Sequence, residues 1–171
     1  AAGRGREAVA WLERAHAARP DSPALAIPFL TALVTEGEHA RALAAIGALP
    51  DAVRALDRVR LIEGRALLGA GRLDELEALL ADPPTPADLR EGETELSDLW
   101  FGLHETRAAR VQGAPLDDAQ RACVRARHPV PPALDFRMNP GTDAATGPEK
   151  TTPPRDPAAK ERETEAIQAV C

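Results

Sequence analysis

Three glycines, Gly3, Gly37 and Gly71, stand 34 residues apart, and each opens a similar run: GRGREAVAWLERA, GEHARALAAIGALP and GRLDELEALLADP. A glycine before charged residues and an alanine–leucine stretch marks a helix stop followed by a new helix. Recurrence at a fixed period constrains the fold more than composition does, because each unit must bury its apolar face on its neighbours. Helical spacing agrees with that reading. Ala8, Leu12, Ala15 and Ala18 fall on one face, with Val9 and Trp11 at its margin, and Pro20 ends the helix. Ser22 is the next N-cap and Pro23 the first helical position. The second helix is expected to run to about Thr35, with Leu25, Phe29, Leu30, Leu33 and Val34 as its apolar side. Pro28 within it predicts a kink or a late start. Gly37 then closes it, and another helix is predicted over about Glu38 to Ala48.

A helical hairpin at this period resembles the tetratricopeptide (TPR) repeat family. After the glycine, that family's pattern sets a small residue, a large apolar one, a second small one and a proline. From Gly3 these places hold Ala8, Leu12, Ala15 and Pro20. From Gly37 they hold Ala42, Ile46, Leu49 and Arg54, with Pro50 arriving early, and from Gly71 a degenerate set, Leu76, Leu80, Pro83 and Asp88. In the helix before Gly71, Gly64 and Leu67 fit the pattern, whereas Arg60 and Glu63 stand where large apolar residues are usual. A slightly rotated repeat is expected there. The resemblance implies an all-α fold from about residue 5 to 128, its antiparallel hairpins stacked as a right-handed superhelix.

Beyond the regular repeats, Leu96, Leu99, Trp100, Leu103 and Val111 predict a helix that Gly113 ends, and Asp117 with Gln120 has the form of a capping box. Ala119, Ala122, Cys123 and Ala126 are expected as the buried face of a last helix, stopped by Pro129. In ALDFRM, Leu134, Phe136 and Met138 alternate with Asp135 and Arg137, the pattern of an extended segment with one apolar side. That segment is expected to fold over the last hairpin, with Phe136 buried near Trp100 or Cys123. The domain reading is one TPR-like helical domain over 1–137, with its extended capping segment near 129–138, and a disordered Pro- and charge-rich tail over 139–171. The stretch from Leu99 to Met138 also resembles the closing segment of bacterial proteins in which a carbohydrate-fold, galactose-mutarotase-like domain of unknown function precedes a TPR array. That resemblance carries no catalytic motif; it implies that any enzyme-like domain lies upstream in a longer bacterial protein. The opening AAGRGREAVAW, which has no initiating Met and reads as the inside of a structural unit, carries the same expectation.

Composition narrows the function classes. A net charge of −6 argues against a general nucleic-acid or anionic-membrane surface, and no run of 18 apolar residues exists. A cytoplasmic location is the expectation. Two cysteines, Cys123 and Cys171, make no disulfide framework, and Cys123 reads as a buried small hydrophobe. LHETRAAR begins like a zinc-protease helix, but position 108 is Ala where the second His would stand, so His104 and Glu105 read as helix-surface residues. The only serines are Ser22 and Ser97, neither in a nucleophile-elbow pattern. Glu91, Glu93, Glu95 and Asp98 read as a solvated face that favours a helix N-terminus. No enzyme activity, cofactor or metal is expected within this chain.

One stripe points to binding. On a helix predicted from about Asp51 to Ala70, Arg54, Arg58, Leu61, Arg65 and Leu68 recur at helical spacing, away from Ala52, Leu56, Val59 and Ala66, which should face the core. In the TPR resemblance, Arg58, Leu61, Arg65 and Leu68 occupy places that line the concave groove, and one repeat earlier the same places hold Ala24, Ile27, Thr31 and Val34. Guanidiniums beside leucines suit a carboxylate-bearing apolar peptide or an acidic loop. Chaperone-tail clamps of that family use Lys and Asn there, and this chain has no Asn before Asn139. The expected partner is a protein, a peptide or an upstream domain of the same chain. Self-association through the first helix is a further expectation, and the alternative role is an accessory helical region of a carbohydrate-active enzyme.

Overall fold

A computed structural model describes residues 2–85 and 93–136, and among these the fold is all-helical, with no strand. The elements are α1 (Ala2–Ala18), α2 (Pro23–Thr35), α3 (His39–Gly47), α4 (Asp51–Arg54), α5 (Asp57–Ala70), α6 (Leu73–Ala81), α7 (Glu95–Gln112) and α8 (Asp118–Arg127), followed by a 3₁₀ turn (Pro132–Leu134). They fall into two compact units, Ala1–Leu89 and Arg90–Cys171. The tail over 139–171 and Met138 lie outside the described residues.

In the first unit the period is a structural fact. α5 begins 34 residues after α2, and α6 spans the residues 34 beyond those of α3. Gly37 and Gly71 join each pair in the left-handed region, at φ 76° and 70°. In both turns the amide after the glycine donates to a carbonyl five residues back, Glu38 to Leu33 and Arg72 to Leu67. This glycine-closed helix end satisfies carbonyls that the helix itself leaves open, and only glycine takes that φ without strain. The equivalent positions behind each glycine are buried alike, Ala42 with Leu76 and Ile46 with Leu80. The core runs through α2, α3 and α5: Ala26, Phe29, Leu30 and Leu33 meet Ala42, Ile46, Val59, Ile62 and Ala66.

Two expectations fail here. The helix predicted over 51–70 is broken, because Leu56 takes an extended conformation (ψ 132°) and starts α5 afresh. Ala52 and Leu56, expected inside, are therefore exposed, since they lie outside α5. On α1 the buried residue is Val9, with Leu12 packed beside it, while Ala8, Ala18 and Trp11 are exposed. This helix packs on α2, so only the side turned toward α2 is covered. Of the two outcomes expected of Pro28, the late start does not occur: α2 runs from Pro23 with Pro28 inside it, on its exposed side. Ser22 holds the N-cap position without a side-chain capping bond, and its carbonyl accepts from the Leu25 and Ala26 amides.

The second unit is built on α7 and α8. Ala108, Leu116 and Val124 form one buried cluster between them. The Asp117–Gln120 capping box is present in both directions, at 2.8 and 3.0 Å. Ala119, Ala122 and Ala126 are exposed rather than buried; Val124 takes the inward place on α8. Cys123 is half-buried and disulfide-bonded, not a buried free thiol. The chain's other cysteine, Cys171, lies outside the described residues. In the described part of ALDFRM, residues 133–136, the backbone is not extended throughout, because Ala133 and Leu134 lie in the 3₁₀ turn. Prolines fix the backbone φ that a 3₁₀ turn shares, so Pro132–Leu134 closes one turn against α7, burying Leu134 and leaving Phe136 half-buried.

Candidate functional site

The predicted arginine stripe divides once the chain folds. Arg54 belongs to α4, where it pairs with Asp51 at 2.6 Å. Leu61 is 0 % exposed and serves as scaffold rather than contact surface. Arg58 and Leu68 are half-buried and Arg65 is exposed, all three on α5. One period earlier on α2, the equivalents of Arg58 and Arg65 are Ala24 and Thr31, both exposed, and those of Leu61 and Leu68 are Ile27 and Val34, both half-buried. α2 and α5 pack together, so the two helices share a face. Small side chains on α2 thus stand in register with long basic ones on α5.

Two residues that break the apolar pattern of α5 define its other side. Arg60 is partly buried and reaches the end of α6, donating to the Asp82 carbonyl and, at 3.1 Å, to its carboxylate. A guanidinium at a helix C-terminus meets both open carbonyls and the negative end of the dipole. Burial raises the Glu63 carboxyl above its ordinary value, against the opposing pull of the Arg60, Arg54 and Arg72 charges. In α2 the equivalent of Glu63 is Phe29, which is buried. The polar pair replaces apolar packing with a charged seam between α5 and α6.

The second unit holds a cluster that pattern reading assigns to the surface. His104 is 7 % exposed, and its ring stacks on His128 at 3.8 Å between centroids and meets Trp100 edge-on at 4.5 Å. The Trp100 indole Nε1 donates to the His128 carbonyl at 3.1 Å, fastening α7 to the end of α8. The surface reading of His104 is overturned because its face of α7 is shared with Trp100 and Leu103, both turned inward. Trp100 and His104, four residues apart on a helix, were the available signal. Glu105 is half-buried and accepts from Arg125 Nε at 2.6 Å, while Arg125 also lies over the Phe101 ring. The rings face one another flat, which is a packing geometry, not a metal-ligand one. Among the described residues no group of three or more His, Cys, Asp or Glu could hold a metal ion. Nor is any helix among them long and apolar enough to cross a membrane.

Comparison with known protein families, curated proteins and solved structures finds no match to this chain.

Proposed function

We propose that the first unit is a non-enzymatic, TPR-like interaction module that takes an extended acidic and apolar protein segment on the face shared by α2 and α5. The supporting observation is the 34-residue register of the two hairpins, in which Ala24 and Thr31 hold the places on α2 that Arg58 and Arg65 hold on α5, with α2 packed on α5. Small residues leave room for a bound backbone, and guanidiniums give planar, paired hydrogen bonds to carboxylates. Half-buried Ile27, Val34 and Leu68 supply the apolar floor between them. The protein as a whole carries net charge −6, so this local basic face attracts acidic segments without making the molecule a general polyanion binder. Arg54 and Leu61 leave the recognition set, the first because it belongs to α4 rather than α5 and the second because it is core.

Selection from a random linear peptide library on the purified protein tests this reading. Enrichment of peptides that interleave Asp or Glu with Leu, Ile or Val is the expected result. Enrichment of basic peptides, or of apolar peptides regardless of charge, would contradict it.

A further inference from the structure

His104 lies in the interior of the second unit, where an ionised side chain is costly. Its ring plane is within 8° of the His128 ring, with centroids 3.8 Å apart. That contact sits where α8 ends. The His128 amide donates to the Val124 carbonyl at 3.0 Å, its carbonyl accepts from the Trp100 indole, and its ring lies on His104. Four residues on, the chain enters the 3₁₀ turn that sets buried Leu134 against α7. The paired rings therefore help hold both the end of α8 and the closing turn on α7.

Protons act on this contact in two stages. A first proton sets a cation against a neutral ring face, an attractive arrangement. A second sets two positive charges face to face in a site that excludes most water, where their repulsion is several-fold stronger than in bulk solvent. Charged neighbours come from each packed element. On α7, Arg107 lies three residues beyond His104 and so on its side of the helix, and Glu105 is engaged by Arg125 of α8 at 2.6 Å. On α8, Arg127 directly precedes His128, and in the closing segment Asp135 follows Leu134. Arginines outnumber carboxylates in this set, so as a whole it does not offset a second positive charge. The parted rings take two protons and the stacked pair at most one. Opening thus gains on closure as pH falls, on the acid side of the ordinary imidazole value of about 6.5.

We propose that the His104–His128 stack is an acid-sensitive latch: it holds the end of α8 and the closing turn on α7 while either ring is neutral, and lets them part when both rings are protonated. Parting uncovers Trp100 together with Leu103 and Leu134, which are 0 and 3 % exposed in the closed form. The acid form thus presents an apolar face that the neutral form covers. Buried histidines brought into like-charge contact are a common basis of such switches. The latch stands on the geometry of the second unit alone and is independent of the peptide reading of α5.

The test uses the full chain carrying Trp11→Phe, an exposed position, so that Trp100 is its one tryptophan. Emission is followed from about pH 7.5 to about pH 5, above the range where most carboxylates titrate. A reversible shift to longer wavelength is expected as pH falls. His128→Phe, which keeps a flat ring and takes no proton, should abolish it, whereas Asp135→Asn should keep it. The proposal is overturned if the wavelength does not move, or if intensity falls at constant wavelength, since a ring would then charge beside the indole without parting. It is overturned equally if the shift persists in His128→Phe, or if Asp135→Asn removes it and so assigns the trigger to a carboxylate. Should His128→Phe fail to fold at neutral pH, hydrogen exchange of the unsubstituted chain decides. Corrected for intrinsic rates, protection over the last turn of α8 should fall about tenfold or more between about pH 7.5 and about pH 5.5, and unchanged protection overturns the latch.

Discussion

At the scale of single residues, helical spacing names which side chains share a face but not which face is inside. Leu61 fits the arginine stripe by angle and is buried all the same. The glycines and the capping box were legible because each has a backbone reason that acts locally: left-handed φ at Gly37, Gly71 and Gly113, paired amides at Asp117 and Gln120. His104 was legible only in its spacing from Trp100; its stacking on His128, which lies far along the chain, comes by tertiary packing. Glu63 offers a residue-scale prediction. Its carboxyl is raised by burial in the folded state, so its ionisation weakens folding as pH rises through the shifted value. Glu63→Gln should therefore raise the melting temperature at pH 7, and the gain should vanish below about pH 4.5, the ordinary carboxylate value. Thermal melts across that range decide it; equal or lower stability of the variant at neutral pH would show that Arg60, Arg54 and Arg72 need the negative charge.

At the scale of elements, the helix boundaries of α2, α3 and α8 follow from Pro23, Gly37, the Asp117 cap and Pro129, signals that stop or start a helix wherever it packs. The break at Leu56 carries no such signal, because nothing in VRALDRV forbids helix; Val53 before it and Val59 after it are both buried. Position Gly37 has φ 76° and open space where a side chain would go, so Gly37→Ala tests the backbone alone. It should cost about 1–2 kcal/mol, the left-handed penalty of an L-residue, and chemical denaturation measures it. An unchanged midpoint would mean the turn can re-form without left-handed geometry. The closing turn gives a paired test. Leu134 is buried against α7 and Phe136 only half-buried, so Leu134→Ala should destabilise by about 2–4 kcal/mol and Phe136→Ala by less. The reverse order would restore the expectation that Phe136 is the anchor.

At the scale of the whole molecule, the all-helical class was legible because a fixed period forces one kind of unit, and the copy matching the family pattern most completely, from Gly3, is the one whose burial departs from it. A pattern records what its positions pack against when neighbours stand on both sides; α1 packs on α2, and its Ala8 and Trp11 face outward. The arginine face follows the same logic in reverse, with half-buried Arg58 and exposed Arg65 remaining on α5 after Leu61 and Arg54 are assigned to core and to α4. The most direct measurement of this account compares peptide binding and melting for Arg58→Glu with Arg65→Glu. Peptides interleaving Glu and Leu should lose about tenfold or more in affinity, since truncating or reversing charge at a recognition site is costly while exposed pairs contribute only about 0–1 kcal/mol to folding. The melting temperature should stay within a few degrees of the parent. Undiminished binding, or a variant that unfolds, would contradict the claim that these arginines serve recognition on a helical-repeat scaffold.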